Sequence, residues 1–208
     1  MAKRRLVLAS ASQGRLGVLR SAGIDPVVRV SGVDEDALAA TLTGATPVEL
    51  VIALASAKAD AVAATIAAEH PDAVIVGCDS MLHIGNELIG KPGCAENARR
   101  RWLAMAGATG ELLTGHAVLR LHGGRVSATA SGAETTLIRF STPATEEIDA
   151  YIETGEPLQV AGGFTLDGRG GWFIDGVDGD PSSVIGISLP LTRRLLAEVE
   201  VSVTSLWS

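Results

Sequence analysis

The chain has 208 residues, of which 47% are hydrophobic, and a net charge of −7; this is ample for a real core in one large domain or two small ones. No block of like charge exceeds Asp34-Glu35-Asp36 or Arg99-Arg100-Arg101, so the acidic surface argues against nonspecific nucleic-acid binding but leaves free nucleotides open, since these need only a local basic pocket. No apolar run approaches a membrane span, Met1 to Arg5 leads into no signal-type apolar region, and two cysteines without ligand spacing, Cys78 and Cys94, fit a reducing compartment, which gives the cytoplasm as the expected location.

In chain order, the pattern predicts a buried strand over 5–9 and a short helix over 14–22 ended by Gly23. A second strand covers 26–30. Thr46-Pro47-Val48-Glu49 reads as a capping box with proline at the first helical position, opening a long Ala-rich helix to about Glu69. A strand with no polar residue follows over 73–77, then a hairpin over 81–89 around Gly85-Asn86 and an amphipathic helix over 96–106. Leu112 to Leu121 and Arg125 to Phe140 form a longer hairpin around Gly123-Gly124; Thr145 to Thr154 is a helix closed by Gly155. The stretch 158–178 is Gly-rich and irregular, with a short strand near Trp172, and the last helix covers 189–199. With three Phe, three Trp and one Tyr, the core should be Ala/Val/Leu/Ile. Alternating helices and strands, with hairpins demanding antiparallel pairs, imply an α/β fold with a mixed sheet and two lobes around a cleft, hinged near 90–95 and 178–182.

Four polar islands interrupt the apolar pattern. Ser10-Ala11-Ser12-Gln13-Gly14-Arg15 follows the run Leu6-Val7-Leu8-Ala9; a strand that ends in Ser, Gly and Arg and opens a helix aims N–H groups and a guanidinium at phosphate oxygens. Asp34-Glu35-Asp36 is the second; by default these are solvated loop acids. Lys58 is the only charge between Val51 and Ala59, and reads equally as a solvated helix lysine. Cys78-Asp79-Ser80 ends the strand over 73–77, where a carboxylate suits a base or metal ligand, or else a cap met by local N–H groups. Gly90-Lys91-Pro92 follows, and Lys91 reads equally as a turn residue. Cys78 is expected to be a small buried hydrophobe.

In this order the islands resemble the Maf family of nucleotide pyrophosphatases over nearly the whole chain. The matching pieces are Ser10 to Arg15, Val33-Asp34-Glu35, Ala55-Ser56-Ala57-Lys58-Ala59, Gly77 to Ser80 and Gly90-Lys91-Pro92. Gly155-Glu156, Ala161-Gly162-Gly163-Phe164 and the run Gly179 to Leu191 complete the set. The resemblance implies a single Maf-like domain over 1–208, with the α/β fold shared by inosine-triphosphatase-like enzymes. It also implies hydrolysis of the α–β bond of nucleoside triphosphates, standard or modified, to monophosphate and pyrophosphate in a house-cleaning role. Asp79 becomes the proton acceptor for the attacking water, and Glu35 helps hold a divalent metal, Mg²⁺ or Mn²⁺, together with Asp79. Lys58 and Lys91 complete the catalytic set, and Ser10, Ser12 and Arg15 bind substrate. No membrane or nucleic-acid partner is implied, and room is left for a homodimer. The family's link to septum formation keeps a second reading open: a nucleotide sensor acting on cell division.

Three positions that vary between the family's pyrimidine-nucleotide and methylated-guanine branches match neither here: Gly14 replaces a second Arg or a Trp, Ser80 a Thr or Gln, and Asp167 a Gln or Glu. They are the expected base-reading positions, with the preferred base open. Gln159-Val160 also replaces an Asp-Lys pair. His70, His83, His116 and His122 are scattered, which argues against a structural zinc, and no P-loop is present. Ser182-Ser183 reads as a cap for the following turn.

Overall fold

In a computed structural model, residues 4–208 are described. The strands are β1 (Leu6–Leu8), β2 (Val27–Val28), β3 (Val74–Ile84), β4 (Glu87–Ile89), β5 (Thr109–His122), β6 (Arg125–Phe140) and β7 (Ile174–Asp178). The helices are α1 (Gln13–Ser21), α2 (Glu35–Thr41), α3 (Pro47–Ile66), α4 (Ala95–Met105), α5 (Thr145–Glu153), α6 (Pro181–Ile185) and α7 (Leu189–Glu198). One mixed seven-stranded sheet runs β2-β1-β3-β5-β6-β7, with β4 paired to β3. β1 is parallel to β2 and β3, whereas β3–β4 and β6–β7 are antiparallel. The fold is α/β, and no helix among the described residues is long and apolar enough to cross a membrane.

The chain divides into two compact units. One comprises the chain up to Asp79 with 114–134 and 186–208; the other comprises 80–113 and 135–185. The divisions therefore fall within β3, β5 and β6 and just after α6, not at the expected 90–95 and 178–182.

In the first unit, period-2 alternation along β1 and β3 splits the core between the two sheet faces. Leu6, Leu8, Val74, Val76 and Cys78 pack with Leu16 and Leu19 of α1 and Leu191, Leu195 and Leu196 of α7. Val7, Ala9 and Ile75 pack with Ala55, Ala59, Val62 and Ile66 of α3. α3 opens as predicted: Thr46 accepts from the Glu49 N–H, and Glu49 bonds back to the Thr46 N–H. This helix lies unusually close to the sheet. A Cβ on Gly77 would stand 2.3 Å from the Ala55 carbonyl oxygen, and one on Gly115 would stand 2.1 Å from that of Val51. Only glycine on β3 and β5 permits that approach.

The second unit adds an aromatic cluster to the expected aliphatic core. Trp102 is fully buried, with edge-on contacts to Phe140, Tyr151 and Phe173 at ring distances of 5.9, 5.7 and 5.7 Å, and its indole N–H donates to the Gly163 carbonyl at 2.8 Å. All three phenylalanines and the one tyrosine gather here, packed among Leu82, Ile89, Leu112, Ile138 and Ile148, so the aromatic residues are concentrated in one unit. The Gly-rich stretch resolves into 3₁₀ turns at Glu156–Gln159, Ala161–Gly163 and Arg169–Phe173.

Two local expectations are corrected. The strand read over 73–77 continues to Ile84, so Cys78, Asp79 and Ser80 lie within a strand. The acid run is not a loop: Asp34 caps α2 by accepting from the Ala37 N–H at 2.9 Å, and Glu35 and Asp36 form the helix's first turn, where carboxylates meet the positive end of the helix dipole.

Candidate functional site

The site grows from the way β3 meets α3. Val74, Val76 and Cys78 face α1 and α7, so alternation turns Asp79 to the α3 side of the sheet. Lys58 stands one turn beyond Ala55, the residue whose carbonyl rests over Gly77. The two side chains meet there: Lys58 Nζ donates to Asp79 Oδ1 at 2.6 Å, with both residues buried. Glu35 reaches the same ammonium from α2 through Oε1 at 2.8 Å; its side chain is 40% exposed. One lysine thus bridges two carboxylates. Asp79 Oδ2 is buried and has no hydrogen-bond partner among the described residues, a costly state for a carboxylate oxygen unless a ligand, water or ion completes it.

The loop after β1 lies beside this cluster. The parallel register Leu8↔Val76 brings Ser10 level with Cys78, next to Asp79. Both positions lie beyond the carboxyl end of β1, where open α/β sheets bind ligands. Ser12 caps α1 by accepting from the Arg15 N–H. The Arg15 guanidinium is largely buried; its Nε donates to the Gly186 carbonyl at 2.8 Å and its Nη1 to Ser10 Oγ at 2.9 Å. Arg15 therefore ties the first loop to the segment before α7 while bringing a fixed positive charge to the end of β1. Gly14 sits half-buried in the first turn of α1. Cys78 is fully buried, and burial pushes its thiol up to about 11 even though the charges of Arg15 and Lys58 act the other way. It is a packed hydrophobe, as expected.

The remaining expected residues belong to the second unit. Ser80 follows Asp79 along β3 and is half-buried; Lys91 is exposed in the segment between β4 and α4; Asp167 is exposed in the bend before the 3₁₀ turn Arg169–Phe173. Glu35, Lys58 and Asp79 are in direct contact, and Ser10 is in contact with Arg15.

Two supports are not evident from motif spacing. His116 is buried on β5. Its Nδ1 lies 3.0 Å from the Thr114 carbonyl and its Nε2 accepts the Ser188 N–H at 2.8 Å, pinning the start of α7, where Ser188 caps by accepting from Leu191 N–H. In the second unit, Glu156 accepts from Thr165 Oγ1 at 2.5 Å and from the Gly170 N–H at 3.1 Å, holding both ends of the bend that carries Asp167. Gly155-Glu156 was the only sequence signal for that contact. Near the expected Ser182-Ser183 cap, Asp180 Oδ1 accepts from the Ser182 N–H and hydroxyl, so the aspartate also holds the start of that turn.

Among the described residues no group of three or more His, Cys, Asp or Glu side chains could hold a metal ion, so protein ligands to a divalent ion at this site would be the two carboxylates Glu35 and Asp79.

Comparison with known proteins identifies the family. The family model described as Maf-like protein matches residues 5–199. A nucleoside triphosphate pyrophosphatase of Saccharopolyspora erythraea is 68% identical over 98% of this chain and 97% of its own length. Proteins of the same name from Nocardia farcinica and Rhodococcus erythropolis are 62% and 57% identical, over 97% and 98% of this chain and 96% of each relative. The chain belongs to the Maf family.

Proposed function

We propose that this chain is a nucleoside triphosphate pyrophosphatase that hydrolyses the bond between the α and β phosphates, releasing a nucleoside monophosphate and pyrophosphate. The observation that carries the reading is the buried Asp79, held by Lys58 through one oxygen and unpartnered at the other, beside the Ser10–Arg15 loop. The names of the relatives point to the same activity.

Asp79 Oδ2 is the proton acceptor. It takes the proton of a water whose oxygen attacks the α-phosphorus; the bond to the bridging oxygen breaks, pyrophosphate leaves with the electron pair, and the proton passes to solvent. Lys58, Arg15 and the exposed Lys91 neutralise phosphate charge. Ser10 and Ser12, with the N–H groups opening α1, orient phosphate oxygens. Glu35 and Asp79 would hold a divalent cation. Two hard carboxylates suit Mg²⁺ or Mn²⁺, which commonly take one or two protein carboxylates and fill the remaining positions with phosphate oxygens and water. Such an ion would add charge neutralisation at the phosphates.

Gly14, Ser80 and Asp167 select the base. A house-cleaning role on free nucleotides and two unpaired cysteines fit a cytoplasmic enzyme. A nucleotide sensor would need the cations but not a buried carboxylate with an open oxygen, which favours the hydrolase.

The test is a pyrophosphate-release screen over standard and modified nucleoside triphosphates with Mg²⁺ or Mn²⁺. Equimolar monophosphate and pyrophosphate are expected. Release of orthophosphate with a nucleoside diphosphate, or no turnover of any triphosphate, overturns the reading.

A further inference from the structure

The ammonium of Lys58 occupies the place where a divalent cation would meet Glu35 and Asp79. Its Nζ lies 2.8 Å from Glu35 Oε1 and 2.6 Å from Asp79 Oδ1, so one unit positive charge is already shared by the two carboxylates. Lys58 and Asp79 are both buried, so this attraction is poorly screened and repulsion between the ammonium and an incoming dication is strong. The orphaned Asp79 Oδ2 shows that the lysine satisfies only half of what the aspartate can accept.

We infer that Lys58 is a built-in counter-cation that keeps a divalent metal out of the Glu35–Asp79 pair until a polyphosphate draws the lysine away. Metal and triphosphate then bind as a unit. The triphosphate offers Lys58 a new anionic partner, the carboxylates pass to the metal, and Asp79 is released from its lysine when a substrate is present. In the free protein the buried Lys58 and Asp79 charges balance each other without metal while the part-exposed Glu35 stays solvated, so no buried charge stands alone in either state. The inference rests on the reading of Glu35 and Asp79 as the metal-holding pair.

The test uses the full chain and Mn²⁺ alone, with free Mn²⁺ followed by electron paramagnetic resonance. The wild type binds Mn²⁺ weakly without nucleotide. Lys58→Met, which keeps the length and removes the charge, binds one Mn²⁺ about tenfold or more tightly, a lower bound for removing a unit charge at this range. The double variant Lys58→Met/Asp79→Asn loses that gain. If Lys58→Met does not fold in metal-free buffer, Lys58→Gln serves. The wild type also reports directly through the ¹H–¹⁵N signal of the Lys58 ammonium. Mg²⁺ alone leaves this signal in place, and Mg²⁺ with an α,β-methylene triphosphate shifts it.

Equal Mn²⁺ affinity in wild type and lysine variants, or displacement of the ammonium signal by Mg²⁺ alone, overturns the inference. Those outcomes with pyrophosphate release intact remove the counter-cation role alone. A missing pyrophosphate release with the Mn²⁺ gain present removes the activity alone.

Discussion

A Cβ on Gly77 would stand 2.3 Å from the carbonyl oxygen of Ala55, so the strand carrying Asp79 and the helix carrying Lys58 meet backbone to backbone. That approach sets the 2.6 Å contact between lysine and aspartate. A side chain at position 77 has no flexible neighbour to displace, because the obstacle is main chain.

Gly77→Ala is therefore expected to lift α3 from the sheet. The cost of overpacking should be about 1–3 kcal/mol, seen as a lower urea midpoint. Catalytic efficiency should fall further than stability alone explains, because Lys58 moves with the helix. Gly17→Ala is the control. Nothing lies within 4 Å of a Cβ there, and alanine inside α1 should be neutral or stabilising by up to about 1 kcal/mol. A Gly77→Ala protein with wild-type midpoint and kcat/KM would show that the close approach does not position the lysine.

Asp79→Asn keeps the shape of the side chain and removes the proton acceptor. Lys58 retains Glu35 as a partner, so the variant should fold. Loss of a general base costs on the order of 10²–10⁴ in rate. The expected result is a kcat reduced by that factor while binding of an α,β-methylene triphosphate survives through Lys58, Arg15 and Lys91, measured by turnover and by calorimetry. A near-normal kcat would remove Asp79 from the chemistry.

Much of this was legible in the sequence where the signal is local. The capping box at Thr46, the hairpin turns at Gly85-Asn86 and Gly123-Gly124 and the buried alternation of β1 are all set by neighbours along the chain, and they stand as read. The resemblance also named Glu35, Lys58 and Asp79, which lie far apart in sequence, and the three side chains meet in space around the lysine. What failed depended on distant partners. Strand β3 ran past its apolar segment because the polar Asp79 finds Lys58 twenty-one residues away. The acid run became a helix because Asp34 caps it, a role that a run of three acids does not single out. The aromatic core around Trp102 draws on residues from α4, β6, α5 and the irregular stretch, which no window of sequence spans.

The Glu156 network should make the second unit acid-sensitive. Burial raises the Glu156 pKa, but hydrogen bonds from Thr165 and the Gly170 N–H outweigh it, leaving the carboxyl below its ordinary 4.5. A group with a depressed folded value contributes stability above its unfolded value and loses it as pH falls through the folded one. The stability gap between wild type and Glu156→Gln should thus be widest near neutrality and shrink as pH drops below about 4.5. Urea midpoints of both proteins across that range provide the measurement. A gap that stays constant with pH would mean that the carboxylate charge does not hold the bend.

Base preference should follow Asp167, which the bend held by Glu156 leaves exposed. An ionised aspartate offers only acceptors. It suits a base edge that presents N–H donors, such as guanine N1–H and N2–H₂ or the cytosine amino group. A glutamine both donates and accepts, which suits uracil or thymine. Gly14 adds no side chain in the first turn of α1, so the wild type should accept several bases, with relaxed selectivity. Asp167→Gln should shift preference toward uracil and thymine nucleotides, because a site that reads hydrogen bonds separates substrates more sharply than one that reads size. The measurement is kcat/KM for UTP, dTTP, CTP and GTP in both proteins. Folding should be untouched, since Asp167 is exposed and Glu156 bonds to its neighbours, not to it. A changed ratio with an unchanged urea midpoint assigns base reading to this residue. Identical ratios would leave Gly14 and Ser80 as the selecting positions.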